Sequence, residues 1–597
     1  MTITKEVFVD LQEKYNKVIK LIDEDSKLDP ENEPFLSKYS ARQVLIGMKA
    51  NLENLLRNHT AESPDYLKLT AMLGCVYLYL GVVSIETEEI ATGEKHLEKC
   101  NSIIEDHYMK PEVLLVAVNM FNQFGILWSQ REPEKSKIYL EKAVQLYLDF
   151  KNDPTNLIDM SQLFQTNIEN YDIEIAKRNL EKAYTLTLYY LAQIFGALKD
   201  ALKSSVYCHI TLQRQLQMKD YDPIDWALNA ATLSQFFMER NGFKQARHHL
   251  AASSVILEQY EKELEQMTER DDAYEAKMEV FKHRSADVAR CWSKYGLLLL
   301  SKSKERLLSH TDDINVNCSL TTDLSKLSLS SDSTVSENDL QHLDFEGLEL
   351  YAHEYQVTDQ FVLTLEDARR VFVNIQSWLS KAMEYYTLDN LASDYIEIVQ
   401  DQSQMYLNLL FFDENQDNQA KLHKRRVDLL QGILNSVNPQ FYLQYCRQVW
   451  FELAQAYADI LDIKAEKLKE SKGRPKPQAL QKINHLVEKS IQNYMNFVES
   501  YREKPSGNWP KVLPEDAVKP YLQANFHIAA LHGRYITLEK HRQLLATEQS
   551  LKYYKVVVDF CANNEKGKEV IAMELGICQE MVTLLPIKIA KLRQEMI

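Results

Sequence analysis

One spacing of small residues returns four times in the first half of the chain. In each copy a small residue is followed eleven or twelve positions later by a second one, and large residues flank both. The paired small residues are Gly81 and Gly93, Gly125 and Ser136, Ala192 and Ser204, and Ser234 and Ala246. Small side chains let two helix backbones approach where the helices cross, and large residues then fill the space between neighbouring pairs. The spacing therefore predicts a series of antiparallel helix pairs.

This pattern is typical of tetratricopeptide repeats, which place two antiparallel helices in about 34 residues. The second half of the chain repeats it less cleanly, around Ala454 with Ser490 and around Ala529 and Ala530 with Ser550. The 15 glycines and 15 prolines among 597 residues fall below their usual shares of about 7% and 5%. The chain therefore lacks the turn residues of a many-stranded fold, and an all-α fold of helical repeats is predicted.

A change in composition divides the chain. Residues 303–344 are polar and rich in serine, and such a segment buries too little apolar surface to offset its ordering entropy. We therefore predict an N-terminal repeat solenoid at 1–302, a flexible linker at 303–344 and a C-terminal helical-repeat half at 345–597. Residues 151–171 are predicted to form a long loop between repeats, because the Asp-Pro-Thr-Asn stretch at 153–156 favours a turn.

Several classes of function are disfavoured by the same residues. The formal net charge of −17 repels nucleic acid. No two glycines lie closer than Gly74 and Gly81, which excludes the common phosphate-binding and nucleophile-elbow motifs. The eight cysteines form no CxxC pair and the histidines no HExxH motif, so we predict no metal site, no cofactor and no catalytic residue. The N-terminus is charged where a signal peptide would have an apolar core. Apolar runs such as 297–300 fall far short of the roughly 18 residues needed to cross a bilayer, so no membrane insertion is expected.

Polar residues on the first helix of each predicted pair point to a binding groove. In tetratricopeptide arrays this helix lines the concave surface. The residues that the register places there are Asn122, Gln123, Tyr189, Tyr190, Gln193, Thr232 and Gln235. Amides, hydroxyls and phenols in one groove suit a polar protein helix better than an apolar ligand. Ordinary solvent-exposed helix polarity is the alternative.

A basic cluster at Lys424, Arg425 and Arg426 has two interpretations. It could be a nuclear localisation tag or a lipid-contact patch. It could instead be the polar face of an amphipathic helix, because Leu422, Leu429 and Leu430 lie in the same segment. The sequence favours the amphipathic helix.

Several segments, in order from end to end, resemble the KIF-binding protein family of kinesin inhibitors. The strongest lie within residues 184–237. The matching segments are KYSAR (38–42), GILWS (125–129), LYYLAQ (188–193), TLQRQL (211–216), WALNAATLSQF (226–236), IEIVQD (396–401), KLHKRR (421–426) and MVTLLP (581–586). Matches spread over the whole chain indicate an orthologue rather than a shared repeat. The departures lie between these segments, chiefly in the Ser-rich stretch.

The resemblance implies a right-handed α-solenoid in two halves that closes around a kinesin motor domain. The family grips the motor face that would meet the microtubule, and so blocks attachment for a subset of kinesins. The family's contact positions carry over to Tyr190, Gln193, Gln215 and Thr232, and the register alone adds Gln123 and Gln235. A monomer in the cytoplasm, associated with the cytoskeleton, is the expected state. The acidic charge fits a basic, track-facing motor surface.

A co-chaperone adaptor or a general protein-interaction scaffold is the alternative function. A tetratricopeptide clamp for a C-terminal carboxylate needs lysine and asparagine at fixed positions of the first helix. The corresponding residues are Leu78, Asn122, Tyr189, Ala231, Val82, Ile126, Gln193 and Gln235. None of them is a lysine, and the sequence therefore favours the motor-binding function.

Overall fold

The computed structural model describes residues 5–59, 63, 65–152, 156–165, 172–309, 343–470, 476–503 and 512–596. These residues form 21 α-helices and three short 3₁₀ helices, and none of them forms a strand. The helices are α1 Lys5–Asp23, α2 Leu36–Arg57, α3 Tyr66–Glu86, α4 Ile90–Ile104, α5 Leu114–Trp128, α6 Pro133–Asn152, α7 Ile173–Ala197, α8 Ala201–Met218, α9 Pro223–Glu239, α10 Phe243–Glu265, α11 Asp272–Leu308, α12 Tyr351–Glu354, α13 Leu365–Tyr385, α14 Ala392–Leu410, α15 Gln416–Ser436, α16 Leu443–Glu470, α17 Pro477–Glu499, α18 Glu515–His532, α19 Lys540–Ala562, α20 Glu565–Val570 and α21 Ala572–Gln594. The predicted all-α solenoid of helix pairs is confirmed.

The described residues divide into two compact units. The first comprises the chain up to Leu233 together with residues 343–347. The second begins at Ser234, inside α9, and contains α10 to α21. Helix α11 continues past the predicted boundary at residue 302. The division at 303–344 stays a prediction, because residues 310–342 lie outside the described part of the chain.

Glycines close the crossing of α3 and α4 as the sequence pattern predicts. A Cβ added to Gly81 would lie 2.7 Å from Leu97 Cδ2, and one added to Gly93 would lie 3.1 Å from the carbonyl oxygen of Gly81. In the next pair, a Cβ on Gly125 would lie 2.4 Å from Leu140 Cδ2. A larger side chain at any of these three glycines would collide with the facing helix, as expected where two helices cross closely.

Serine closes other crossings through a hydrogen bond to the facing backbone. In the first unit the Ser136 hydroxyl donates to the carbonyl of Gly125 at 2.6 Å, and Ser204 donates to Ala192 at 2.7 Å. The same bond returns in the second unit from Ser490 to Ala454 and from Ser550 to Ala529, both at 2.8 Å. Ser234 and Ala246 are fully buried. The predicted register therefore holds in both units.

The predicted loop at 151–171 is a packed segment over residues 156–165. It contains the 3₁₀ helix Gln162–Phe164, and the Phe164 ring stacks on Tyr15 with ring centroids 4.4 Å apart. The Asp159 carboxylate accepts hydrogen bonds from the Ser161 backbone and from the Asn179 amide. The turn chemistry predicts only a long loop, because the apolar residues that anchor the segment, two of which are Leu157 and Leu163, are few and isolated in sequence.

The described ends of the predicted linker are also packed. Ser303 is buried in α11, and its hydroxyl accepts a hydrogen bond from the Val362 backbone at 2.9 Å. In the first unit, the Phe345 ring lies 5.1 Å from Trp226 and 4.6 Å from His209, measured between centroids. The linker prediction is therefore wrong for residues 303–309 and for 343–344, where apolar partners distant in sequence order the chain.

Helix α3 corrects the expectation that no apolar run approaches membrane-spanning length. By length and composition Tyr66–Glu86 could cross a bilayer, with a mean hydropathy of 1.7 over its best 18-residue window. However, 78% of that window is buried inside the protein, and α3 packs on α2 and α4. Such burial is typical of a core helix.

Candidate protein-interaction surface

The six residues predicted to bind a partner all reach the surface. Gln193, Thr232 and Gln235 are exposed, whereas Gln123, Tyr190 and Gln215 are half-buried. The first unit holds five of them, and Gln235 lies just inside the second unit. Nothing in the structure tests which of them bind a partner, so these assignments stay predictions.

Two clefts of the first unit share Tyr189 and Gln215, and together we call them the Tyr189 groove. One cleft of about 280 Å³ lies between α7 and α8, and the other, of about 420 Å³, lies at the start of α9. The remaining lining residues are Lys182, Thr185, Leu186, Thr211, Met218 and Asp220 in the first cleft, and Tyr221, Asp222, Asp225, Trp226 and Asn229 in the second. The structure thus brings Gln215 beside Tyr189, while Tyr190 and Gln193 lie outside the linings of these two clefts.

Exposed apolar side chains form the centre of the groove. Tyr189 is 41% exposed and Leu186 is 37% exposed, although both belong to a helix whose other face is core. The Tyr189 ring lies edge-on to Tyr190, with centroids 5.3 Å apart. Burial, followed by the neighbouring Tyr189, raises the pKa of the Tyr190 phenol. The Tyr190 phenol is therefore neutral near pH 7 and can donate a hydrogen bond to a partner.

Carboxylates surround the second cleft. Asp222 and Asp225 are exposed, and the Asp222 side chain caps α9 by accepting a hydrogen bond from the Asp225 backbone at 2.9 Å. Asp220 pairs with Lys182 at 2.7 Å, so the lysine in the first cleft has a carboxylate partner. The groove therefore presents negative potential to a partner, and it does not offer a free lysine for a terminal carboxylate.

Arg214 fixes the helices below the groove. Its guanidinium pairs with Glu181, donates to the Thr185 hydroxyl at 3.0 Å and lies 4.6 Å above the Tyr184 ring. Tyr184 in turn stacks on Tyr147, and burial raises the pKa of Tyr184 to about 12. Since these contacts tie α6, α7 and α8 together, the groove is built on a rigid support.

Asn122 does not line the groove as the register predicted. It is fully buried, donates to the carbonyl of Ala183 at 2.8 Å and accepts from the Thr187 hydroxyl at 2.7 Å. These bonds join α5 to α7. The repeat register distinguishes residues that lie between the two helices of a pair from residues that do not. It does not mark the contact between the first helices of consecutive pairs, here α5 and α7, where Asn122 lies.

The basic cluster at 424–426 is split by the fold. Lys424 and Arg425 are exposed, and Lys424 pairs with Asp428 at 2.6 Å. Arg426, by contrast, is 2% exposed and lies between Glu452 and Asp459. The amphipathic helix is confirmed, but Arg426 belongs to its buried face.

The comparisons with known proteins agree with this architecture. A family model described as "KIF-1 binding protein C terminal" matches residues 224–592. The KIF-binding protein of Drosophila melanogaster is 35% identical over 596 residues, covering 99% of this chain and 98% of its own length. The chain belongs to the KIF-binding protein family. Another member, the KIF-binding protein of Homo sapiens, is 32% identical, and 98% of each chain is covered.

A solved structure supports the same family. The chain described as "Cryo-EM map of KIFBP" matches with a TM-score of 0.63 and 27% identity, covering 98% of this chain and 99% of that chain. Both the family and the fold that the sequence segments indicated are therefore confirmed.

Three residues of the Tyr189 groove are not among the binding residues predicted from the sequence: Tyr189 and the carboxylates Asp222 and Asp225. The register had marked Tyr189 as groove-facing, and the Asp-Pro start of α9 was the available signal for the carboxylates.

Proposed function

We propose that this protein binds kinesin motor domains through the Tyr189 groove and the surface around it, and so keeps the motors from attaching to microtubules. The observation that carries the proposal is the groove itself, which combines exposed aromatic and aliphatic side chains with a carboxylate rim. The family name supports a kinesin partner, since relatives covering nearly the whole chain are named KIF-binding proteins. The protein would act as a cytoplasmic monomer at the cytoskeleton and regulate microtubule-based transport.

The groove suits a surface that normally meets tubulin. Tubulin is acidic, so a motor's track-facing side must be basic, and carboxylates at Asp222 and Asp225 offer it complementary charge. Charge of this kind raises the rate of encounter and suppresses unsuitable partners. Tyr189 and Leu186 supply the apolar contact, and a partly exposed tyrosine in a cleft is a typical hot spot. Gln123, Tyr190, Gln193 and Thr232 would contribute to the same contact.

Co-sedimentation tests both binding and inhibition. Purified kinesin motor domains are pelleted with microtubules in the presence and absence of the full-length protein, and the protein is expected to move a subset of motors into the supernatant. Asp222→Asn with Asp225→Asn should weaken this effect about tenfold at low salt and less at high salt, because neutralising rim charges mainly lowers the association rate. Asparagine keeps the helix cap, so the fold should be unaffected.

A matched control and a competing partner sharpen the test. Asp271→Asn with Asp272→Asn removes two exposed carboxylates from the start of α11, in the second unit, where Asp271 caps the helix as Asp222 caps α9, and should leave inhibition unchanged. If every motor still pelleted with wild-type protein present in excess, the inhibitory function would be wrong. Capture of an acidic C-terminal peptide instead of any motor would favour the co-chaperone function.

A further inference from the structure

A second groove lies wholly within the second unit, and glutamines dominate it. It has a volume of about 500 Å³ and is bordered by α14, α16, α17 and the start of α18. Its glutamines are Gln400 and Gln404 on α14 and Gln444, Gln448 and Gln455 on α16. We call it the glutamine groove. A side-chain amide has both donor hydrogens and an acceptor oxygen, so it can bond to the C=O acceptor and the N–H donor of a peptide group.

The glutamines follow one face of each helix at a spacing that matches an extended peptide. On α16 they stand at 444, 448 and 455, with Phe451 completing the stripe. Four helical residues rise about 6 Å and seven rise about 10.5 Å. Two residues of an extended chain span about 6.6 Å and three span about 10 Å. Gln444 and Gln448 can therefore address peptide groups two residues apart, whereas the Gln455 amide already donates to Asp459 at 2.9 Å and its oxygen accepts from Tyr494 at 3.0 Å. The Gln400 amide donates to the Gln448 oxygen at 3.4 Å, which joins the two stripes.

Aromatic rings form the floor of the glutamine groove. Phe451 lies edge-on to Phe497 with centroids 5.4 Å apart, and Phe497 lies edge-on to Tyr501 at the same distance. Arg447 lies 3.8 Å above the Tyr501 ring, and its side chain donates to the hydroxyl and the carbonyl of Ser500. The floor is thus fixed and apolar, and it can accept one apolar side chain of a bound peptide.

The charged residues in the lining of this groove are two of each sign, namely Arg426, Arg447, Glu452 and Asp516. The buried guanidinium of Arg426 donates to the Ser403 hydroxyl at 3.1 Å, lies 3.4 Å from a Glu452 oxygen and lies 3.6 Å from Asp459. One cation therefore faces two carboxylates, and burial raises the pKa of Asp459. A phosphate or a terminal carboxylate would meet these carboxylates, so the groove favours an uncharged ligand surface.

We propose that the glutamine groove is a second binding site, which holds an extended peptide segment of a partner by its backbone while one apolar side chain of that segment rests on the Phe451, Phe497 and Tyr501 floor. This site does not depend on the motor-binding function and would persist if that function were wrong. Affinity comes from backbone hydrogen bonds, so specificity rests on conformation and on the single apolar anchor.

A phage-displayed library of 12-residue peptides, selected on the full-length protein, supplies the probe. Selected peptides are resynthesised with a fluorophore, and their binding is measured by anisotropy. Gln404→Leu with Gln448→Leu removes two exposed amides from the groove and should weaken binding about tenfold or more. The matched control, Gln431→Leu with Gln492→Leu, removes one half-buried and one exposed amide elsewhere on α15 and α17 and should change binding less than about twofold.

Backbone recognition has its own readout. N-methylation of single peptide bonds in a selected peptide should weaken binding at positions two residues apart and have little effect between them. The site is overturned if selection yields no peptide whose binding the groove variant weakens, or if selected peptides bind as helices by NMR. Equal tolerance of N-methylation at every position would overturn the backbone mode.

Discussion

The Tyr189 groove and the glutamine groove lie on similar helix pairs but treat charge in opposite ways. The first exposes Asp222 and Asp225 beside Tyr189 at the start of a helix. The second balances its charges, because two cations and two carboxylates line it, and its buried Arg426 lies between Glu452 and Asp459. Exposed carboxylates attract a basic partner over a distance and so raise the association rate. A groove whose charges cancel recognises hydrogen-bonding groups only on contact. One fold thus carries one surface suited to a basic partner and one suited to a neutral segment.

The largest expected effect breaks the balanced charge of the second unit. Arg426→Met should lower the free energy of unfolding of this unit by at most about 3–5 kcal/mol, because it leaves the half-buried carboxylates of Glu452 and Asp459 without their cation. Arg425→Met is the matched control. That side chain is exposed, and its loss should cost less than about 0.5 kcal/mol. Hydrogen exchange followed by mass spectrometry reports each unit separately, and similar protection in the two variants would show that the Arg426 network contributes little.

A substitution at a helix crossing should weaken the first unit by a different route. Gly125→Leu inserts a branched side chain where even a Cβ would lie 2.4 Å from Leu140 Cδ2, and overpacking of this kind costs about 1–3 kcal/mol or more. Gly47→Ala in α2 is the control, because its new Cβ meets nothing within 4 Å and should stabilise the helix by about 0.5–1 kcal/mol. Thermal unfolding measures both. Equal melting temperatures would mean that the α5 and α6 backbones are farther apart than described.

Acid should affect the second unit through His423. Burial first, and then the neighbouring Arg426, lowers the pKa of this histidine to about 4. The unfolded chain takes up a proton near pH 6.5 whereas the folded chain does not, so stability falls as the pH drops from 6.5 to 4, by at most about 3 kcal/mol. His423→Gln should flatten urea-derived stability across this window, whereas His485→Gln, at an exposed position of α17, should not. Parallel curves for wild type and His423→Gln would contradict the assignment.

Helix crossings were predictable from the sequence because their cause is local. A backbone-to-backbone contact admits only Gly, Ala or Ser, and that limit is visible at Gly81, Gly93 and Ala192 without any knowledge of the rest of the chain. Long-range contacts left no such mark. A Cβ added to Gly296 would lie 2.4 Å from Ile375 Cγ1, on a helix far away in sequence. The sequence around Gly296 gives no sign of this contact.

The grooves were predictable only in part. The register identified the helix that carries Tyr189 and Gln193, yet it placed Asn122 on the surface although it is buried between α5 and α7. The burial of Arg426 depends on carboxylates supplied by a different helix, and a run of three basic residues gives no sign of them. Buried polar residues are therefore where sequence reasoning failed, because their partners are set by tertiary packing.

The affinity of a kinesin motor domain for groove variants tests the central claim most directly. By isothermal titration, Tyr189→Ala with Gln215→Ala should weaken Kd about a hundredfold, since an interfacial tyrosine and a hydrogen-bonding neighbour are lost together. The family-derived set Tyr190→Ala, Gln193→Ala and Thr232→Ala should do the same. Tyr351→Ala, which removes a 74% exposed tyrosine from the second unit, should change Kd less than about twofold. Wild-type affinity in both groove variants, with helicity and melting temperature retained, would contradict a motor site in the first unit.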